Sequence, residues 1–360
     1  MKKLTLLLTL MLTCHVWAQD DIEVVNIEKP AVAAYMADTT YYHNTNVKYT
    51  VVTKYTTMKA QGERLDHPNG KKVVWTPTTT PDAIAEIRVT LSQNADYSDS
   101  VTYHPAVKSK DYIIRNMLPQ CTYYYKVEEI RKDNTVTVMA DGRFRTVGQV
   151  RMIYVPGVSN MRDIGGWRSE LPGNPRIKYG RMYRSGHLER VTQEGKHLMA
   201  TNLGVGAELD LRAESTLKES PLGPGVDYFN GVADSYAGSM NSERAKHARN
   251  FKWLVDRLRE GKVVNWHCAV GCDRCGTLSL IIEGVLGVSE VDLTRDYEMS
   301  SFRGHKRYRG HVGFHKVLPW IKKTFPADTL HESFYKYCIW AGISDEDIQY
   351  LRSEMLEYGL

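Results

Sequence analysis

The sequence predicts two units in series: a small all-β sandwich over residues 46–147, then an α/β domain, a mostly parallel sheet flanked by helices, over residues 150–360. Three observations carry this. With 360 residues the chain is longer than one domain of ~100–200 residues. Up to Val147 the apolar residues fall in short runs rich in Val, Ile, Thr and Tyr, separated by Asn, Gly, Pro and Asp, as strands and turns do. Beyond Gly148 such runs alternate with amphipathic stretches of helical length, the order that builds a parallel sheet.

The chain opens MKKLTLLLTLMLTCHVWAQDD. Lys2 and Lys3, an apolar run and small residues before Gln19 have the order of a secretory signal peptide. Cleavage after Ala18 and a soluble exported protein, periplasmic or secreted, are expected. The apolar run is too short for a spanning helix, and no later run is long enough. Losing Lys2 and Lys3 lowers the formal charge from +5 to +3, which carries no nucleic-acid signal. Export permits disulfides. Of the six cysteines Cys14 leaves with the leader, and three of the remaining five crowd between residues 268 and 275, unlike a disulfide scaffold.

In the β half, "NVKYTVVTKYTTM", "KKVVWTP", "AEIRVTLSQ", "SVTYHPAV", "DYIIRNM", "TYYYKVEEIR" and "TVMADGRFRTV" read as strands at the spacing of a sandwich. "NMLPQCTYYYKVEEI", a Leu-Pro turn leading into a Tyr-rich strand, resembles the fibronectin type III pattern, which would make Trp75 the buried core tryptophan. An accessory or spacer role is expected there; the alternative is a unit that binds a phospho-ligand or glycan.

In the second half "RMIYV", "VGAELDLR" and "KVVNW" read as strands and "KHLMATNLG" as a short helix ending at Gly204. "AKHARNFKWLVDRLREG" is an amphipathic helix closed by Gly261, and "CGTLSLIIEGVLG" is apolar all round, hence buried. "SEVDLTRDYEMSSF" and "SDEDIQYLRSEMLEYGL" open on N-cap candidates Ser289 and Ser344.

Between "KVVNW" and the buried helix lies "HCAVGCDRCG", with Cys268, Cys272 and Cys275 inside eight residues. The spacing C-x3-C-x2-C looks like the cluster-binding signature of radical S-adenosylmethionine enzymes. Export, the late position and Arg274 within the loop count against that, and a zinc site would want a fourth ligand. A third reading uses every residue. A strand–loop–helix turn aims backbone N–H groups at a phosphate. The same groups lower the thiol pKa of Cys268, and a thiolate attacks phosphorus. The fork of Arg274 takes two phosphate oxygens at once. Gly271 turns the loop and Gly276 permits close helix packing.

His267 to Arg274 thus fit H-C-x-x-G-x-D-R and resemble the signature of the cysteine-dependent protein tyrosine phosphatase superfamily. "SNMRDIGGW", "YGRMYRSGHL", "LGVGAELDLRAESTLKESP" and "TRDYEMSSF" follow in the order of its bacterial tyrosine-phosphatase-like family. The resemblance runs from about Ser159 to the C-terminus. It implies a phosphatase that needs no metal or other cofactor and passes through a phosphocysteine. Cys268 is then the nucleophile, Arg274 the phosphate ligand and Asp273 the general acid, with Asp234 a second candidate on a glycine-flanked loop. Ala269, Val270, Gly271 and Cys272 would line the phosphate site. Asp210 and Arg212, at a strand end on the same face, either orient the loop, bind substrate or pair with each other. Arg162, Asp163, Gly165 and Gly166 shape a turn beside the pocket, Arg184 and Ser185 likewise, and His267 buttresses the thiolate.

One departure is Cys275, where relatives carry Thr or Ser; a thiol is a weaker donor than a hydroxyl, so slower turnover is expected. Cys272 and Cys275 are also expected as possible disulfide partners of Cys268. Expected partners are a phosphorylated protein or a phosphorylated small molecule or lipid head group. A loop whose cation is Arg274 alone favours phosphotyrosine or phosphoserine/threonine over inositol polyphosphates. The basic stretch Ser300–Lys316 pulls toward polyanions. An inactive phospho-ligand-binding module is the alternative from another class.

Overall fold

A computed structural model describes residues 22–38, 55 and 64–359. The expected leader, residues 1–18, lies outside them. So does the expected first strand, residues 46–58, apart from Tyr55, which is helical rather than extended.

Strands β1 (Glu23–Asn26), β2 (Lys71–Val74), β3 (Ile84–Ser92), β4 (Val101–Tyr103), β5 (Asp111–Ile114), β6 (Thr122–Arg131) and β7 (Val136–Val147) form the N-terminal part. Five of them make a sheet in the order β1-β7-β6-β3-β4, and β2 pairs with β5. Both sheets feed one core that includes Trp75, Ile87, Val89, Ile114, Val127 and Phe144. The alternation along β3 and β6 that predicts these strands is what puts one face of each inside. β1 was not expected. Its four residues are too short for a periodic signal, and it joins by pairing parallel to β7, so the sheet begins upstream of residue 46.

After β1 the chain crosses to the second unit. Helix α1 (Pro30–Ala37) buries Ala31, Val32 and Tyr35 in the α/β core. The Glu28 carboxylate accepts the N–H groups of Gln149 (2.9 Å) and Val150 (2.7 Å). The Arg151 guanidinium donates to the carbonyl of Asn116 (2.6 Å) and to Asp163 (2.9 Å).

In the α/β unit, β8 (Arg162–Asp163), β10 (Met182–Ser185), β11 (Val205–Asp210), β12 (Asp227–Asn230) and β13 (Val263–His267) lie in the order β12-β11-β13-β10-β8. The first four are parallel and β8 is antiparallel at the edge. The two-residue strands β9 (Arg176–Ile177) and β14 (Leu356–Glu357) tie down the C-terminus. The α-helices that follow α1 are α2 (Gln193–His197), α3 (Tyr236–Ser242), α4 (Arg244–Arg259), α5 (Asp273–Val285), α6 (Glu290–Glu298), α7 (Val317–Thr324), α8 (Leu330–Ala341) and α9 (Asp345–Met355). Successive residues of one strand enter different cores: Met182, Val264 and Trp266 join Phe251 and Leu278 in one, while Tyr183 and Val263 join Met199 and Leu203 in the other.

Ser289 and Ser344 cap their helices as expected, accepting from the N–H groups of Asp292 and Asp347. Three expectations change. "RMIYV" is no strand; Met152 alone bridges to Arg162. "KHLMATNLG" is the end of α2 followed by a widened π-type turn, stopped where Gly204 takes φ +68°. Helices α7 and α8 were not anticipated, although Thr329 and Glu332 form a capping box at the start of α8. No helix among the described residues is long and apolar enough to cross a membrane.

Candidate active site

Strand register builds the site. Ser185, His267 and Asp210 end β10, β13 and β11 side by side, at the carboxyl edge where open α/β sheets carry their sites. The chain leaves β13 at His267, turns through residues 268–272 and enters α5 at Asp273. The turn needs Gly271: its φ is +74°, and a Cβ would stand 2.6 Å from the Ser185 carbonyl carbon. Buried Arg184 donates to the carbonyls of Gly271 (3.0 Å) and Cys272 (2.9 Å). Asn160 Nδ2 donates to that of Val270 (3.0 Å). With these carbonyls held outward, the N–H groups of Val270 and Cys275 serve Cys268.

Cys268 is buried, yet its thiol is held well below the usual range. The Cys275 thiol donating to it is the largest cause; the N–H groups of Cys275 and Val270 and the charge of Arg274 add to it, and together they outweigh burial. By distance the Cys275 thiol also faces the carbonyls of Ser185 (3.6 Å) and Trp266 (3.9 Å). Burial and the neighbouring Cys268 push its own thiol well up, so Cys275 stays protonated. Cys268, Cys272 and Cys275 are free thiols, and burial lifts Cys272 to about 11. Among the described residues no three His, Cys, Asp or Glu side chains are placed to share a metal ion.

Behind Cys268, buried His267 donates from Nε2 to Glu208 Oε1 (2.8 Å), and its Nδ1 lies 3.7 Å from Asp210 Oδ1. Burial opposes its charge, but the two carboxylates win and raise its pKa. A cationic imidazole one residue from Cys268 favours a thiolate there. Asp210 and Arg212 pair with each other, Nε to Oδ1 at 2.8 Å and Nη2 to Oδ2 at 2.7 Å, and Glu189 takes a third guanidinium nitrogen at 2.6 Å. Of the expected alternatives for this pair, mutual pairing is the one seen, and Asp210 adds its field at His267.

Arg274 reaches Glu214 with both terminal nitrogens (3.0 and 2.9 Å). Glu214 takes two of the five N–H bonds of the guanidinium, leaving the others for an anion in the loop. Ala269 and Val270 form its accessible rim and Cys272 its buried base.

Asp273 is gripped by Arg307, Nε to Oδ1 at 2.5 Å and Nη2 to Oδ2 at 2.6 Å, and by the hydroxyls of Tyr236 (2.5 Å) and Tyr297 (3.2 Å). Burial would raise this carboxyl, but Arg307 and Tyr236 hold it below its ordinary value. The pair therefore stabilises the fold fully above the unfolded carboxyl value and loses that contribution as pH falls through the lower folded value. Arg307→Gln should be less stable than wild type at neutral pH. The gap should be constant above about pH 4 and close below it; denaturant midpoints measured against pH check this. Asp234 is exposed, and its carboxylate accepts the N–H of Ser235 (2.8 Å). Two residues on, the Tyr236 N–H donates to Thr277 on α5 (2.9 Å), which seats the Asp234 loop on the same helix as Asp273.

Several contributors escaped the sequence reading. Glu208, Glu214, Asn160, Tyr236, Tyr297, Asp296 and Arg307 reach the loop or its cations from elsewhere in the chain. Arg162 and Arg184 are fully buried and share Asp296, so these residues, expected in turns, lie on strands β8 and β10 and brace the loop from behind.

A model described as the tyrosine phosphatase family matches residues 153–357, more than half of the chain. The chain belongs to the tyrosine phosphatase family. The match takes in the strand ends and the loop that form the site. A Cupriavidus necator protein provisionally named a tyrosine-protein phosphatase is 26% identical over 173 residues, which are 41% of this chain and 62% of that protein. The chain thus spans less than two thirds of that relative's length. The core catalytic domain of the PP-IP phosphatase SIW14 from S. cerevisiae aligns at 17% identity and a TM-score of 0.28, over 40% of this chain and 86% of that one. A mutant form of Tk-PTP aligns at 18% and 0.22, over 50% and 92%. Scores this low carry no weight for fold or function.

Proposed function

We propose that the protein is an exported, cysteine-dependent phosphomonoester hydrolase of the protein tyrosine or dual-specificity type. The observation that carries the mechanism is the environment of Cys268: a buried thiol whose pKa is lowered by the Cys275 thiol, by two loop N–H groups and by Arg274. Thiolate attack forms an S–P bond and breaks the P–O bond to the leaving group. Arg274 holds the equatorial oxygens, where charge builds. Asp273, bound on both oxygens by Arg307, stands ionised; the proton for the leaving oxygen is therefore assigned to Asp234. Water then attacks phosphorus, the S–P bond breaks, the thiolate returns and the water proton goes to the Asp234 carboxylate.

Export rests on the N-terminal Lys-Lys, apolar and small-residue order, and a mature chain starting at Gln19 by intact mass is its check. For the β unit we propose the fibronectin type III-like relationship. It is supported by Trp75 in the core and by the Leu118 N–H donating to the Tyr123 hydroxyl (2.8 Å) beside the Leu-Pro turn.

The test is phosphate release by the mature protein, with reductant and chelator present, from aryl phosphates of good and poor leaving groups. Loss of the acid penalises the poor leaving group most, because its oxygen needs the proton. Asp234→Asn should slow that substrate about 100-fold and the good one far less. The assignment fails if Asp273→Asn shows that split and Asp234→Asn does not.

A further inference from the structure

Beside the catalytic loop lies a second basic feature that the chemistry above does not use. A cavity of about 420 Å³ is lined by Arg64, His67, Ser159, His187, Arg190 and Arg303, among others. Its walls come from distant parts of the chain: Arg64 and His67 from the segment that precedes β2, the rest from the α/β unit. The wall residue Ser159 and its neighbour Asn160 lie between it and the loop. The Ser159 carbonyl accepts the Gly186 N–H (2.8 Å), and Asn160 donates to the Val270 carbonyl (3.0 Å) while its own N–H faces Asp66 Oδ2 (3.4 Å).

Charge in the cavity does not balance. Buried Asp66 is the carboxylate shared by two of the arginines. Arg64 binds it in a fork (3.0 and 2.7 Å), and Arg303 Nε stands 3.5 Å away with no hydrogen-bond partner for that buried N–H. Arg190 is exposed and makes no ion pair among the described residues. Glu189 offers little relief, because its oxygens already hold His187 (2.7 Å) and Arg212 (2.6 Å). Three guanidinium groups thus face a compact space against one buried carboxylate. Planar forks of this kind recognise phosphate better than a single carboxylate, since each offers two parallel N–H bonds.

We infer that this cavity is a second anion subsite that takes another phosphate of the substrate whose monoester is cleaved at Cys268, so that the preferred substrate is a polyphosphorylated small molecule or head group. The inference rests on the phosphomonoester reading alone and moves the preferred substrate from a phosphoprotein to a polyphosphorylated small molecule or head group. His67 reaches the subsite as a neutral ring, its pKa pushed down to about 4 by burial and by the nearby Arg64 and Arg115 cations, and so offers an N–H donor without adding charge. The role also explains why the segment between α1 and β2 packs on the α/β unit: without Arg64 and His67 the cavity would lack one wall.

The experiment compares kcat/KM on p-nitrophenyl phosphate with that on inositol hexakisphosphate, for wild type, Arg190→Ala and Arg64→Ala/Arg190→Ala. Each lost charge-assisted contact should cost the polyphosphate about tenfold while leaving the aryl phosphate within about twofold. Arg190→Ala keeps the test valid if removing Arg64 unsettles Asp66. An equal fall on both substrates, or no fall on either, overturns the subsite. Phosphatidylinositol bisphosphate in vesicles, run as a further arm, identifies the source as a lipid head group if the loss appears there, and as a soluble polyphosphate if it appears only with the hexakisphosphate. A loss confined to acidic phosphotyrosine peptides overturns the small-molecule assignment. Should wild type hydrolyse none of these, the catalytic reading fails by itself. Calorimetric binding of inositol hexakisphosphate to Cys268→Ser then decides the subsite, supported if the arginine variants bind about tenfold more weakly and overturned if they bind equally.

Discussion

Cys268→Ser should abolish turnover on every phosphomonoester while leaving phosphate binding intact. The serine hydroxyl is nearly isosteric but stays protonated in surroundings that make Cys268 a thiolate, because a hydroxyl titrates far above a thiol. The Val270 and Cys275 N–H groups and Arg274 would all remain to bind an anion. A drop in kcat of about 10⁴-fold or more is expected, the scale on which removing a nucleophile acts. Inorganic phosphate should inhibit or bind with near-wild-type affinity. Residual activity within tenfold of wild type would assign the nucleophile elsewhere.

The second large effect concerns a residue that touches no substrate. Arg184 is fully buried; it pairs with Asp296, donates to Ser279 (3.0 Å) and holds two loop carbonyls. Arg184→Leu leaves Asp296 with Arg162 alone and removes a cation from beside Glu283, whose buried carboxyl is already pushed well up by burial and by the Asp296 charge. Breaking one side of a buried ion pair costs about 3–5 kcal/mol. That should show as a clearly lower denaturant midpoint, with activity lost as the carbonyls of Gly271 and Cys272 swing free. Arg184→Lys keeps the charge but cannot reach both carbonyls and Asp296 at once. It should recover much of the stability and little of the kcat, a split that a purely structural role would not produce. A wild-type midpoint for Arg184→Leu would sink the argument.

Much of the fold is legible in the sequence because its signals are local. "KVVNW" is a short run rich in β-branched and aromatic residues and "CGTLSLIIEGVLG" is apolar all round, and the structure makes them β13 and the buried body of α5. Ser289 and Ser344 cap as their neighbours dictate. Where local signals are weak the reading missed. β1 has four residues, "RMIYV" is extended chain stapled by the side chains of Arg151 and Asn116 rather than a strand, and α8 announced itself only by a capping box.

The sequence by itself determined the cysteine loop: Cys268, Gly271 and Arg274 at fixed spacing between a strand and a helix, a geometry that backbone N–H groups and φ preferences impose over ten residues. It also marked Asp210 and Arg212 at the matching strand end. Only the tertiary structure decided how that loop is charged and braced. The donors that act on Cys268, the Arg307 grip on Asp273, the Glu214 fork on Arg274 and the Arg184–Asp296–Arg162 brace join residues from 34 to 134 positions apart for the ion pairs on Asp273 and Asp296. Electrostatic interactions fall off with distance through space and are indifferent to separation along the chain, so no pattern in the linear sequence could display them.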